Sequence, residues 1–109
     1  MTDAETVQRI RDRVRNSMGT ARSELETLVA FRSVADPRQY PVEECVEAAR
    51  WVRDAFAEAG IEQADLVETA DGSHAVIGHT AAPPGAPTVL RYSHYDIQPP
   101  GDEAKWESP

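Results

Sequence analysis

The chain has 109 residues, is 40% hydrophobic and carries a formal net charge of -8, which fits one globular domain with a real core and argues against disorder. The acidity is uneven: residues 54–109 hold ten acids against Arg91 and Lys105, so that half lacks the basic stripe a nucleic-acid partner needs. The apolar runs are far too short to span a membrane, and the single cysteine, Cys45, excludes an internal disulfide framework and a cysteine-rich zinc site.

Charged residues from Glu5 to Arg13 interrupt any secretory leader, so a cytoplasmic location is expected. Val7, Ile10, Val14, Met18, Ala21, Leu25 and Leu28 recur at three- and four-residue steps, one apolar stripe at helical period. The stripe predicts helix over about 4–31. Gly19 lies within it, where glycine costs a helix about 1 kcal/mol against alanine. One long helix and two helices bending near Asn16–Gly19 are both compatible with it. A loop from Arg32 to Pro41 follows, because Asp36 precedes a proline and Pro41 suits a helix start.

The second helix is predicted over about 42–59. Glu43 and Glu44 suit its positive dipole end. Val42, Cys45, Val46, Ala49, Val52 and Phe56 form its buried stripe, and Gly60 is the expected left-handed C′ residue. Cys45 lies on that stripe and reads as a small packing residue. After Gly60 the period changes to two. Strands are predicted over about 64–69 and 74–80, joined by a tight turn at Asp71-Gly72. A Pro/Gly loop follows, and then a third strand over about 88–94. The order gives an α/β class, with the N-terminal helices packed on a mixed sheet.

His94 and Asp96 stand two apart. On an extended chain they share a face, with Tyr95 on the other. Ligands of open α/β sheets bind beyond the carboxyl ends of strands. A metal-binding histidine commonly has its second ring nitrogen held by a carboxylate. A bare His-x-Asp is also an ordinary hydrogen-bonded surface pair. His74 and His79 are five apart on one strand and point to opposite faces, so they cannot share a metal. Trp106 reads as a packing residue of its loop, and Asp102 and Glu103 as the opening of a helical turn.

The wider segment "VLRYSHYDIQPPGDEAKW" (Val89–Trp106) closely resembles the strand and loop of the zinc exopeptidases related to aminoacylase and carnosinase. Within them it is most similar to the dipeptidase branch, with its Tyr-Gly-His-Tyr-Asp-Val-Gln-Pro-Pro-Gly-Asp type of loop ending at a tryptophan. "ELETLVAFRSV" (Glu24–Val34), "AARWVRDAFAEAGI" (Ala48–Ile61) and "HAVIGH" (His74–His79) resemble the helices and strand that precede it. Ser93 departs from a usual glycine and Arg32 from a common proline. Arg91 interrupts the apolar strand, either facing solvent or pairing with an acid such as Glu68.

The resemblance implies an incomplete zinc-exopeptidase-like catalytic domain. His94 would ligate one of two zinc ions, and Asp96 would be the catalytic aspartate beside it. The family's remaining acids and final histidine have no counterpart here, so the chain is expected to be the N-terminal portion of that domain and inactive alone. Any dimerisation domain would likewise be absent, and the resemblance implies a possible homodimer for the parent. The implied substrate is a short peptide. An N-acyl amino-acid deacylase with the same metal chemistry is the alternative, as is a non-catalytic interaction module on the same scaffold. Ala75, Val76, Ile77, Val89 and Leu90 make the strands apolar on both faces, so the isolated chain is expected to self-associate.

Overall fold

The computed structural model describes residues 2–108. It divides into two compact units, Met1–Ala30 and Phe31–Pro109. The first is a single helix, α1 (Asp3–Ala30). Thr2 and Glu5 begin it with a reciprocal cap. The Thr2 hydroxyl accepts from the Glu5 amide at 3.1 Å, and the Glu5 carboxylate accepts from the Thr2 amide at 2.7 Å. This capping box satisfies two helix-end donors, and the Thr2 bonds hold the Glu5 carboxyl below its ordinary range. The helix runs through Gly19 unbroken, which settles the choice between one helix and two. None of its residues is buried, and its apolar stripe stays about half exposed.

The second unit is built on α2 (Val42–Glu58), which lies against both strands of a hairpin. Ala48 and Ala49 are fully buried, and Cys45, Val46, Val52 and Phe56 are half-buried. The helix closes with a Schellman motif. The Gly60 amide donates to the Ala57 carbonyl and the Ile61 amide to the Phe56 carbonyl, with Gly60 at φ 94°. Such a motif brings the residue after the glycine beside the last turn of the helix. Here it sets Ile61 and Phe56 together over the hairpin.

The hairpin pairs β1 (Gln63–Glu68) with β2 (His74–His79) antiparallel, Leu66 opposite Val76 and Ala64 opposite Gly78. These four positions share the face turned to α2. A Cβ built on Gly78 would stand 2.7 Å from Ile61 Cγ2 and 3.0 Å from Phe56 Cδ2. Glycine is therefore what lets the helix end sit on the strand. Val67, Ala75 and Ile77 occupy the opposite face, where Val67 and Ile77 are exposed. His74 and His79 fall on opposite faces, as alternation requires.

The connecting turn is Ala70-Asp71-Gly72. The Gly72 amide donates to the Thr69 carbonyl, and Gly72 itself takes φ 84°, a three-residue hairpin loop with glycine at the left-handed position. Asp71 Oδ1 accepts from the Thr69 hydroxyl at 2.7 Å, the Ser73 amide at 3.0 Å and the Ser73 hydroxyl at 2.6 Å.

Two expectations need correction. Residues 88–94 are not a strand, and the sheet is a two-stranded antiparallel hairpin, not a mixed sheet. The β-forming residues there still leave Val89, Leu90 and Tyr92 at 76%, 90% and 89% exposure. A β-former favours the extended backbone, but a strand exists only where a neighbour completes the ladder. Among the described residues β1 and β2 pair only with each other. The helix that packs on this hairpin is α2. Arg91 is exposed, the solvent-facing alternative.

Two outcomes follow from this packing. Gly78→Ala must displace a β-branched methyl and a ring edge, so it should destabilise the second unit by about 1–3 kcal/mol in denaturant unfolding, whereas Gly85→Ala, which meets no neighbour but sits at φ 83°, should act only through local loop strain. The three bonds from Ser73 and Thr69 lower the Asp71 pKa from 3.8 to about 2. A depressed carboxyl stabilises the fold above its unfolded pKa and loses that contribution as pH falls through the folded value. The hairpin should therefore weaken between about pH 4 and 2, and Asp71→Ala should remove that dependence in an NMR-monitored acid titration.

Candidate functional site

The site begins with a loop that has nowhere to put its polar groups except into the protein. Ser33 is 0% exposed and Val34 beside it is buried. A buried hydroxyl without a partner costs roughly 1–3 kcal/mol, so Ser33 must bond. Its hydroxyl donates to the Tyr95 carbonyl at 3.2 Å, and its own carbonyl accepts from the Ile97 amide at 3.1 Å. These bonds join the loop after α1 to residues more than sixty positions away. A third tie comes from the Tyr95 hydroxyl, which donates to the His74 carbonyl on β2. Burial, chiefly, pushes the Tyr95 phenol upward.

Between those ties stand the two predicted site residues. His94 Nδ1 lies 3.0 Å from Asp96 Oδ1 and 3.2 Å from the Asp96 carbonyl oxygen. A carbonyl oxygen can only accept, so Nδ1 carries the proton. In the neutral ring, Nε2 then keeps its lone pair free. The sequence expectation placed both side chains at the end of a strand. They come together instead on an extended segment held by Ser33 and Tyr95. The His94 side chain is 73% exposed and that of Asp96 39%. A pair so open to water adds ~0–1 kcal/mol to stability at most. Its consequence is orientation of the ring.

The surroundings are part polar and part apolar. A depression of about 200 Å³ lies on the Asp96 side, lined in part by Asp36, Asp96, Ile97 and Gln98. Asp36 is committed elsewhere: Arg38 donates to both of its carboxylate oxygens and holds its pKa down, and Gln39 adds a further bond. A larger space of about 640 Å³ beside Pro100, Glu103 and Trp106 does not reach His94. Trp106 Nε1 donates to the Pro100 carbonyl at 3.0 Å, and Asp102 caps the short turn Glu103–Lys105 through the Ala104 amide. Both bonds stay within the loop, and Trp106 remains 61% exposed rather than packed.

Cys45 is half-buried, with Sγ 3.6 Å from the Val34 carbonyl. Burial first, and then the nearby Asp96 charge, raise its thiol pKa, which makes it a poor nucleophile and agrees with a packing role. Neither Ser33 nor the partner of Tyr95 was legible beforehand. A serine in a loop reads as a solvated turn residue, and alternation gave the direction of Tyr95 but not its target.

The fit to a metal is partial. His94, with Nδ1 anchored and Nε2 free, has the chemistry of one ligand. A zinc site takes three or four protein ligands. Among the described residues no group of three or more His, Cys, Asp or Glu side chains is placed to hold a metal ion. No helix among them is long and apolar enough to cross a membrane.

Comparison with known proteins gives one informative relative. Over 60 residues, 55% of this chain, the sequence is 38% identical to a cysteinylglycine-S-conjugate dipeptidase of Corynebacterium striatum, and the match covers 13% of that protein. No family model matches the chain, and no solved structure matches it. The chain is similar, over about half its length, to a small part of a dipeptidase.

Proposed function

We propose that this chain is the N-terminal part of the catalytic domain of a metallopeptidase, a dipeptidase-like hydrolase that cleaves short peptides at a centre of two zinc ions. The observation that carries this reading is the His94–Asp96 pair, at 3.0 Å, inside the segment that resembles the dipeptidase loop. The similarity to part of a dipeptidase supports it as well. His94 offers Nε2 as a ligand. Asp96 holds the opposite ring nitrogen, fixes the tautomer and raises the basicity of the ligand. Asp96 accordingly acts beside the metal rather than on the peptide. Bound zinc would polarise the scissile carbonyl and lower the pKa of its water. The other ligands and the general base would come from residues outside this sequence.

An N-acyl amino-acid deacylase would use the same pair in the same way. The name of the matched relative favours peptide substrates. A cytoplasmic location and a homodimeric parent belong to the same proposal. So does self-association of the isolated chain, for which the exposed Val67, Ile77, Val89 and Leu90 are the support.

In the longer protein that carries these residues, replacing Asp96 with alanine should cost about 10–100-fold in metal affinity or activity, the usual effect of losing a carboxylate behind a ligand. His94→Ala should cost more than that. His79→Ala, exposed on the far face of the hairpin, should leave kcat/KM for a dipeptide unchanged. Equal losses at His94 and His79 would contradict the assignment, and a protein with no peptidase activity but intact folding would favour the non-catalytic module. The 109 residues alone supply one ligand, so calorimetric titration with zinc should show weak binding only. Two tight sites per chain would contradict the reading.

A further inference from the structure

We propose that Ser33 is a positioning residue for His94, acting through the peptide unit between Asp96 and Ile97. The inference rests on His94 as a ligand for its functional meaning, but its structural content stands without that reading. In a trans peptide the N–H and the preceding C=O lie in one plane and point in opposite directions. All peptide bonds described here are trans. The Ile97 N–H points at the Ser33 carbonyl, 3.1 Å away. The Asp96 carbonyl of that same unit must then face the other way, and there it meets His94 Nδ1 at 3.2 Å. Fixing one end of the plane aims the other.

The preceding peptide is held as well. The Ser33 hydroxyl donates to the Tyr95 carbonyl, so both peptide units flanking Asp96 are tied to one buried residue. Neither unit can rotate without breaking a Ser33 bond. Tyr95 reinforces the clamp from the other side through its hydroxyl on the His74 carbonyl. The histidine is thereby offered two acceptors on one nitrogen, the Asp96 carboxylate and the Asp96 carbonyl. A histidine ring free in water favours the proton on Nε2. Here the pinned carbonyl demands it on Nδ1, which frees the outward Nε2 for a ligand's role. The carboxylate alone would not enforce this, because an untethered Asp96 can turn to solvent.

The test uses the 109-residue chain with 15N-labelled histidine, at a pH where the ring is neutral. Ring nitrogen shifts and their long-range proton couplings report the tautomer of His94, and the Thr69–Ser73 amide shifts report that the hairpin remains folded. Wild type should show the Nδ1–H form. Ser33→Ala keeps the main-chain bond from the Ile97 amide and removes the hydroxyl bond to the Tyr95 carbonyl; loosening that flanking peptide should lower the ratio of Nδ1–H to Nε2–H by up to about fivefold, the size of one ordinary net hydrogen bond. Tyr95→Phe should lower it less, and both should leave the hairpin shifts in place. An Nε2–H form in wild type overturns the proposal, as does an unchanged tautomer in both variants. Should Ser33→Ala lose the hairpin shifts, Tyr95→Phe decides by the same ratio. Loss of those shifts in both variants overturns it too, by showing that the clamp holds the whole unit and not the ring. Zinc dependence of peptidase activity in the longer protein is measured separately. Its absence would refute the metal reading while leaving the tautomer result untouched.

Discussion

Ser33 is cut off from water, and the rest of the site follows from that. A serine in this position must find partners inside the protein, and the partners available are the backbone groups of Tyr95 and Ile97. Through them an irregular segment, with no ladder to hold it, acquires a fixed course. Each net hydrogen bond is worth only about 1 kcal/mol. The bonds matter because the alternative is an unsatisfied buried group, which costs more than the bond contributes. Val34 and Cys45 lie close to the same point, with the thiol against the Val34 carbonyl, and Ser33 shares full exclusion from water with Ala48 and Ala49 of α2.

The hairpin is the second constraint, and it faces two ways. Toward α2 it is fitted closely: the Schellman turn at Gly60 drops Ile61 next to Phe56, and both rest where Gly78 has no side chain. Away from α2 it presents Val67 and Ile77 to solvent, with Ala75 half-buried between them. A sheet apolar on both faces is the signature of a layer meant to be covered on both. The exposed β-formers at 89–92 belong with this picture. They have the backbone preference of a strand and no ladder to join.

Function, in this reading, is a matter of direction more than of strength. The His94–Asp96 contact is too exposed to add much stability. What it does is choose which ring nitrogen carries the proton. That choice passes from a buried serine, through a rigid peptide plane, to a carbonyl, and from the carbonyl to an imidazole at the surface. A metal site built on such a histidine would inherit its geometry from the protein interior, which is how supporting residues commonly orient a ligand.

Local chemistry settled much from the sequence alone. The helical period carried α2 and, once Gly19 proved tolerable, the whole of α1. Gly60 announced its own C′ position, and Asp71-Gly72 marked the turn, because these conformations depend on a residue and its near neighbours. The capping box at Thr2 and Glu5 is equally local, but it came to light only in the structure. The pairing of His94 with Asp96 was legible too, since two-residue spacing suffices to bring them together. Tertiary structure decided the rest. Whether residues 88–94 become a strand depends on a neighbouring ladder and not on their own preference, so composition misjudged them. The burial of Ser33 and the landing of the Tyr95 hydroxyl on the His74 carbonyl join residues 62 and 21 positions apart. No periodicity spans such distances. Only the folded chain brings those groups within bonding range, and it is there that the orientation of His94 is set.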